Sequence, residues 1–207
     1  MIILIGNQKG GAGKSTLAML LANYLANERK AKVTLIDMDY QRSVAQKFER
    51  AKILQNPEPY QVVAKELDDF PQMVATIKRN PGNFVIIDLP GKLDDDGLLA
   101  VFRAAELVLC PFSYDEFSYE STILFSVVMN KVNPVAKLCY LPNRIKANVR
   151  YDTIADVNEQ LEKFGPVSGI IPDRIDFSRT NTLQTPISVR PIVNPIFDLI
   201  FKAHNFK

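Results

Sequence analysis

An eleven-residue run, Gly6-Asn7-Gln8-Lys9-Gly10-Gly11-Ala12-Gly13-Lys14-Ser15-Thr16, gathers the groups needed to hold a phosphate. Glycines at 10, 11 and 13, with Ala12 between them, let successive backbone N–H groups turn inward around phosphate oxygens. Lys14 reaches outer phosphates as a point charge. The Ser15 hydroxyl stands where a Mg²⁺ ligand belongs, and Thr16 can hydrogen-bond a phosphate. The run follows an apolar stretch and opens a helical pattern, so the helix N-terminus adds partial positive charge. A glycine turn without a ligand would need all these features to coincide by chance. The general template G-x-x-x-x-G-K-[ST] fails only at its first position, Gln8, and a second lysine, Lys9, enters the loop. Lys14 already serves one phosphate chain, so Lys9 makes sense as a cation reaching a phosphate held by another subunit.

Carboxylates close two further apolar runs. Leu35-Ile36-Asp37-Met38-Asp39-Tyr40-Gln41 offers Asp37 and Asp39, and Phe84-Val85-Ile86-Ile87-Asp88 offers Asp88. Acidic groups at the C-terminal ends of parallel strands face the crevice where ligands bind. The plainer reading makes Asp39 the N-cap of the next helix and Asp88 a strand-end cap. Gly91 could let the backbone after Asp88 respond to a phosphate.

Short apolar runs alternate with helical patterns along the chain. Strands are expected over 2–5, 33–36, 60–64, 84–87, 107–110, 137–141 and, more weakly, 167–171. Helices are expected over 14–29, 43–51, 70–78, 98–105, 118–131 and 151–164, with a closing helix from Pro191 toward Phe206. This order predicts an α/β fold, a mostly parallel twisted sheet with helices on both faces. At 207 residues, without repeats or linkers, one domain over 1–207 is expected.

The loop resembles the deviant Walker A motif of the ParA/MinD-type ATPases, P-loop NTPases that partition DNA or position cellular cargo, and the resemblance runs along most of the chain. It implies binding of ATP and Mg²⁺, with Lys9 and Lys14 on phosphates. Asp37 would meet Mg²⁺ through water, Asp39 would orient the attacking water, and Asp88 would be the Walker B carboxylate. Tyr40 stands where the family often has proline, which leaves both carboxylates and Gln41 in place. Asn143 after a late strand, and Pro172 and Asp173 after the next, are carried over as residues flanking adenine; ordinary turn roles explain them equally. The closest match is to small plasmid-type ParA proteins. That implies an ATP-dependent homodimer, non-specific DNA binding, a ParB-like stimulating protein and a cytoplasmic, nucleoid-associated location. A MinD-like membrane-positioning ATPase and a small-molecule ATP-dependent ligase of the same superfamily are the alternatives.

Composition agrees with a globular chain: 47% hydrophobic and 23% charged residues exclude a disordered or collagen-like polymer. No apolar run approaches a membrane span, and the first residues lack the basic region of a signal peptide. The C-terminal segment 195–207 is apolar on nearly all sides and reads as a helix docked on the core rather than a lipid anchor. Cys110 and Cys139 match no zinc or redox spacing and read as buried hydrophobes in a reducing compartment. Net charge is only +2, but residues 131–207 carry +4 against −2 before them. Lys146, Arg150, Arg174, Arg179 and Arg190 are the candidate phosphate-backbone contacts there, against a plain solvated surface. Asp94-Asp95-Asp96 reads as a helix N-terminal cluster, and His204 as a surface residue.

Overall fold

The computed structural model describes residues 1–52, 57–80, 82–92 and 95–203. Seven parallel strands form one sheet in the order β3-β2-β4-β1-β5-β6-β7. They are β1 (Ile2–Ile5), β2 (Lys32–Asp37), β3 (Gln61–Ala64), β4 (Asn83–Asp88), β5 (Leu107–Phe112), β6 (Lys137–Ile145) and β7 (Ile171–Pro172). The helices are α1 (Lys14–Asn23), α2 (Ser43–Lys52), α3 (Phe70–Lys78), α4 (Leu98–Ala104), α5 (Glu116–Val132), α6 (Ile154–Glu162) and α7 (Arg190–Ala203).

Strand side chains alternate between two apolar layers. Ile3, Ile5 and Leu35 face α1, α2 and α7, whereas Ile2, Leu4 and Ile36 face α3 to α6. The central strands β1 and β5 are apolar throughout, as strands covered by helices on both faces are. The α/β class with helices on both faces is therefore as expected, and the sheet is parallel throughout.

Several boundaries differ from the sequence expectation for tertiary reasons. The first helix is α-helical only to Asn23, and Tyr24–Glu28 forms a π-helical turn. There Tyr24 packs on Phe197 and Phe201 of α7, with ring centroids at 5.3 and 6.2 Å, and its hydroxyl donates to Asp198. The expected strand over 167–171 shrinks to Ile171–Pro172, with an isolated bridge from Val167 to Tyr140. Gly165 explains the offset: a Cβ there would lie 2.1 Å from the Leu138 carbonyl oxygen, so the chain crosses β6 closely before pairing. Over its described residues helix α7 docks as expected, burying Val193, Ile196, Phe197, Ile200 and Phe201, while the expected continuation over 204–207 lies outside them. Among the described residues, no helix is long and apolar enough to cross a membrane. Asp94 and His204 lie outside the described residues.

Candidate nucleotide site

The glycine loop leaves the C-terminal end of β1 and enters α1. Gly11 (φ 76°) and Gly13 (φ 90°) take left-handed backbone conformations that side chains resist, and Gly13 is the α1 N-cap. No side chain caps α1, so its first N–H groups are presented to the loop interior. Lys14 is 6% exposed, and its Nζ donates to the Lys9 carbonyl at 3.3 Å across the loop. Burial lowers the Lys14 pKa, opposed by the negative charges of Asp88 and Asp39.

Buried Asn7 holds the loop from beneath. Its Nδ2 donates to the Pro111 carbonyl and to Thr122 Oγ1, both at 2.8 Å, while its Oδ1 accepts the Lys9 N–H at 3.1 Å. The Lys9 ammonium reaches Asp115 at the N-cap of α5, with Nζ to Oδ1 at 2.5 Å. Partial burial raises the Asp115 pKa, but its hydrogen bonds from Lys9, Ser113 and the Ser118 N–H outweigh this and hold it below the usual value. Sequence reading missed both Asn7 and Asp115. The only available signal was a polar residue at the end of an apolar strand.

The two strand-end carboxylates meet because Asp37 and Asp88 are register partners on β2 and β4. Their roles separate. Asp37 Oδ1 accepts from the Asp39 N–H at 3.1 Å, and Oδ2 accepts from Val44 and Ala45 at 3.0 and 2.9 Å. The helix-capping role considered for Asp39 thus falls to Asp37, which anchors α2. Burial raises its pKa against these hydrogen bonds. Asp39 is half-buried, and its Oδ1 accepts from the Gln41 N–H at 2.9 Å.

Asp88 is 0% exposed, and neither carboxylate oxygen has a hydrogen-bond partner. Burial pushes its pKa up to about 8. The nearby Ser15 hydroxyl opposes the shift without reaching bonding geometry, Asp37 and Asp39 add to it, and Lys14 counters it. A buried carboxylate without a partner is costly, so this one fits a cation ligand or the water of a hydrated cation. Among the described residues, no three His, Cys, Asp or Glu side chains converge as a metal cage. Mg²⁺ does not require one, since it binds through one or two carboxylates plus substrate phosphates and waters. Ser15, Asp88 and, through water, Asp37 fit that donor set.

On the other side of the loop lies a cavity of about 390 Å³. Gly13 and Thr16 line it from the loop, Asn143 and Arg144 from the end of β6, and Pro172 and Asp173 from β7 and its following loop. The three residues expected beside adenine therefore share one cavity with the loop. Asn143 also braces the loop, donating to the Ala12 carbonyl at 2.8 Å, while Arg144 donates to the Gly11 carbonyl at 2.9 Å. Arg144 has a left-handed φ of 58° at a bulge in β6–β7 pairing, which turns its guanidinium toward the loop. Gly91 approaches from the third side: a Cβ there would stand 3.7 Å from Gly10 Cα.

Of the basic candidates, Arg174 lines the cavity. Arg174 and Arg179 pair with Asp176, Arg150 with Asp152 and Arg190 with Glu28. Each pair leaves the guanidinium partly exposed, so the surface is part-neutralised rather than a dense basic patch.

Residues 3–187 match the model of the CobQ/CobB/MinD/ParA nucleotide binding domain. Maintenance of carboxysome distribution protein A of Gloeobacter kilaueensis is 32% identical over 111 residues, covering 53% of this chain and 48% of that protein. Protein ParA of Rhizobium radiobacter is 32% identical over 112 residues, covering 53% of this chain and 47% of that protein. The matches thus span about half the length of these curated relatives. A Borrelia burgdorferi protein described as a plasmid partition protein, solved with AMPPNP, superposes with a TM-score of 0.76. Its identity is 23%, and the match covers 98% of each chain, which supports the fold. The loop, the paired strand-end carboxylates, the parallel sheet and the family match together place this chain in the CobQ/CobB/MinD/ParA nucleotide-binding family.

Proposed function

We propose that the chain is a Mg²⁺-dependent ATPase that dimerises face to face on ATP, binds DNA without sequence preference in that state, and lets go on hydrolysis. The observation that carries the reading is the second loop lysine. Lys14 already fills the inner position, while Lys9 stands a third exposed on the rim, held by Asp115. A flexible cation there suits a phosphate arriving on another copy, where it would offset developing charge as an arginine finger does. Asp39 orients the attacking water. Mg²⁺, when bound, neutralises charge on the phosphate oxygens. Loss of the terminal phosphate would free Gly91 and its neighbours and so loosen the dimer. Turnover would be slow and raised by a ParB-like partner. A cytoplasmic, nucleoid-associated protein follows from this reading.

The test is retention on random-sequence DNA with Mg²⁺ and either a slowly hydrolysed ATP analogue or ADP, across a salt series. Retention with the analogue alone, falling steeply with salt, is expected. Equal retention in both states would sink the DNA reading, and anionic liposomes would then test the membrane alternative. Lys9→Ala should impair dimerisation and hydrolysis more than nucleotide affinity, and Asp39→Ala should trap the ATP dimer. The similarity to a carboxysome distribution protein favours a second reading of the cargo, a protein assembly in place of a DNA element. Stimulation of turnover by an assembly-associated rather than a DNA-bound partner would select it.

A further inference from the structure

All strands are parallel and the helices between them run back the other way, so strand starts and helix ends share one edge of the molecule. It is the edge opposite the nucleotide loop. On the sheet face covered by α3 to α6 this edge is basic. Lys78 and Arg79 end α3, Arg103 lies in the last turn of α4 and Lys131 in that of α5. Lys32 opens β2 on the same face as Ile36, and Lys137 opens β6. All six are exposed, and among the described residues none is in an ion pair. Arg150, Arg174, Arg179 and Arg190 differ, since each has a carboxylate partner.

A cation at a helix end offsets the macrodipole, which accounts for one on each helix. It accounts neither for Lys32 and Lys137, which stand on strands, nor for the few acids among them. Glu106 is taken by the N-terminal amine at 3.9 Å and the Ile2 N–H at 2.9 Å. Glu58 lines a groove of about 380 Å³ with Lys32, Asn80 and Asn83, and Glu162 ends α6 beside Lys163.

The spacing says what fits this edge. Helix α3 touches α4, and α4 touches α5, at interaxial distances of about 8–10 Å. Strands β2 and β6 lie four strand spacings apart, about 19 Å. The cations thus form a rigid row about 20 Å long, mounted on packed elements. Duplex DNA carries one charge per about 1.7 Å of axis, so a row of that length faces about a dozen phosphates. A lipid surface would need apolar side chains among the cations, and of the described large apolar residues only Val135 stands exposed there.

We propose that this edge is the surface on which the chain seats the DNA backbone. The inference rests on the DNA reading above and moves the contact to the end of the molecule away from the nucleotide. A second copy closing over the loop leaves the row open, so an ATP dimer presents two rows, one on each chain. One row is weak, and two joined rows hold a DNA-covered surface by avidity, which ties retention to the nucleotide state.

The experiment is retention on a biosensor surface densely coated with random-sequence duplex, with Mg²⁺ and a slowly hydrolysed ATP analogue, from roughly 50 to 200 mM salt. Arg103→Ala and Lys131→Ala should each lower affinity by about three- to tenfold and reduce the salt slope by about 1 for each row engaged. The triple reversal Arg79→Glu, Arg103→Glu and Lys131→Glu should abolish retention. Its fluorescent-nucleotide binding and its ATP-dependent dimerisation in sedimentation should match the parent, showing that the fold is intact. The alanine variants carry the test by themselves if the reversal disturbs folding. Parent-like retention of these variants overturns the proposal while leaving the DNA reading in place. A loss as large from Lys146→Glu with Arg150→Glu, at the nucleotide end, overturns it too. A parent retained in no nucleotide state overturns both readings, and row-dependent capture on anionic liposomes without capture on DNA replaces them with a membrane contact.

Discussion

Asp88 has the most unusual surroundings of any single side chain here: full burial, no hydrogen bond, and two other carboxylates nearby. Its folded-state pKa of about 8 lies above the unfolded value near 3.9, so its contribution to stability is present below about pH 4 and is lost as pH rises to about 8. Asp88→Asn removes that loss. Without Mg²⁺ or nucleotide, the variant should match the parent near pH 4 and exceed it by roughly a few kcal/mol at pH 8, read from denaturant midpoints. An equal gain at both pH values would mean that charge is not the cause. Asn7 is the opposite case, a buried polar group with both amide hydrogens and its oxygen engaged. Asn7→Ala should cost about 2–3 kcal/mol by leaving the Pro111 carbonyl and the Lys9 N–H unpaired. It should also depress ATP hydrolysis at saturating ATP, because Lys9 loses its backbone anchor.

At the scale of elements, the loop is held by what surrounds α1 as much as by its own glycines. A Cβ at Gly13 would stand 2.3 Å from Asn143 Nδ2, whereas one at Gly10 meets nothing within 4 Å. Gly13→Ala should therefore abolish nucleotide binding, measured by fluorescent-nucleotide titration, while Gly10→Ala leaves the fold unstrained. Helix α7 has a proline in its interior, exposed Pro195, which removes one hydrogen-bond donor from the helix. Pro195→Ala should stabilise the chain by about 1–3 kcal/mol in chemical denaturation. No gain would show that the helix has already relaxed around the ring.

Across the whole molecule, the site lies where strand order reverses around β1, flanked by β4 on one side and β5 on the other. Both helical layers contribute, α1 and α2 from one face and α5 from the other. A ligand binding there ties the layers together, so nucleotide should raise the melting temperature. At a concentration about 100 times Kd, Mg²⁺-ADP should add about 2.7 kcal/mol, or roughly 5–10 °C for a chain of this size. Lys14→Ala should show no such shift in differential scanning calorimetry.

Sequence alone determined whatever was contiguous. The glycine loop is one unbroken run, so its glycines, lysine and hydroxyls stand together by local geometry. The alternation of apolar strands and helices likewise determined the α/β class, because both sheet faces must be covered. The tertiary structure decided what depends on distant partners. Asp37 and Asp88 are equivalent strand-end acids in sequence, yet Asp37 accepts two N–H bonds from α2 and one from Asp39, whereas Asp88 is left bare. Asn7 meets its partners 104 and 115 residues away, and Asn143 braces a loop 131 residues before it. Such contacts arise from strand order and register, which residue patterns along one strand do not encode.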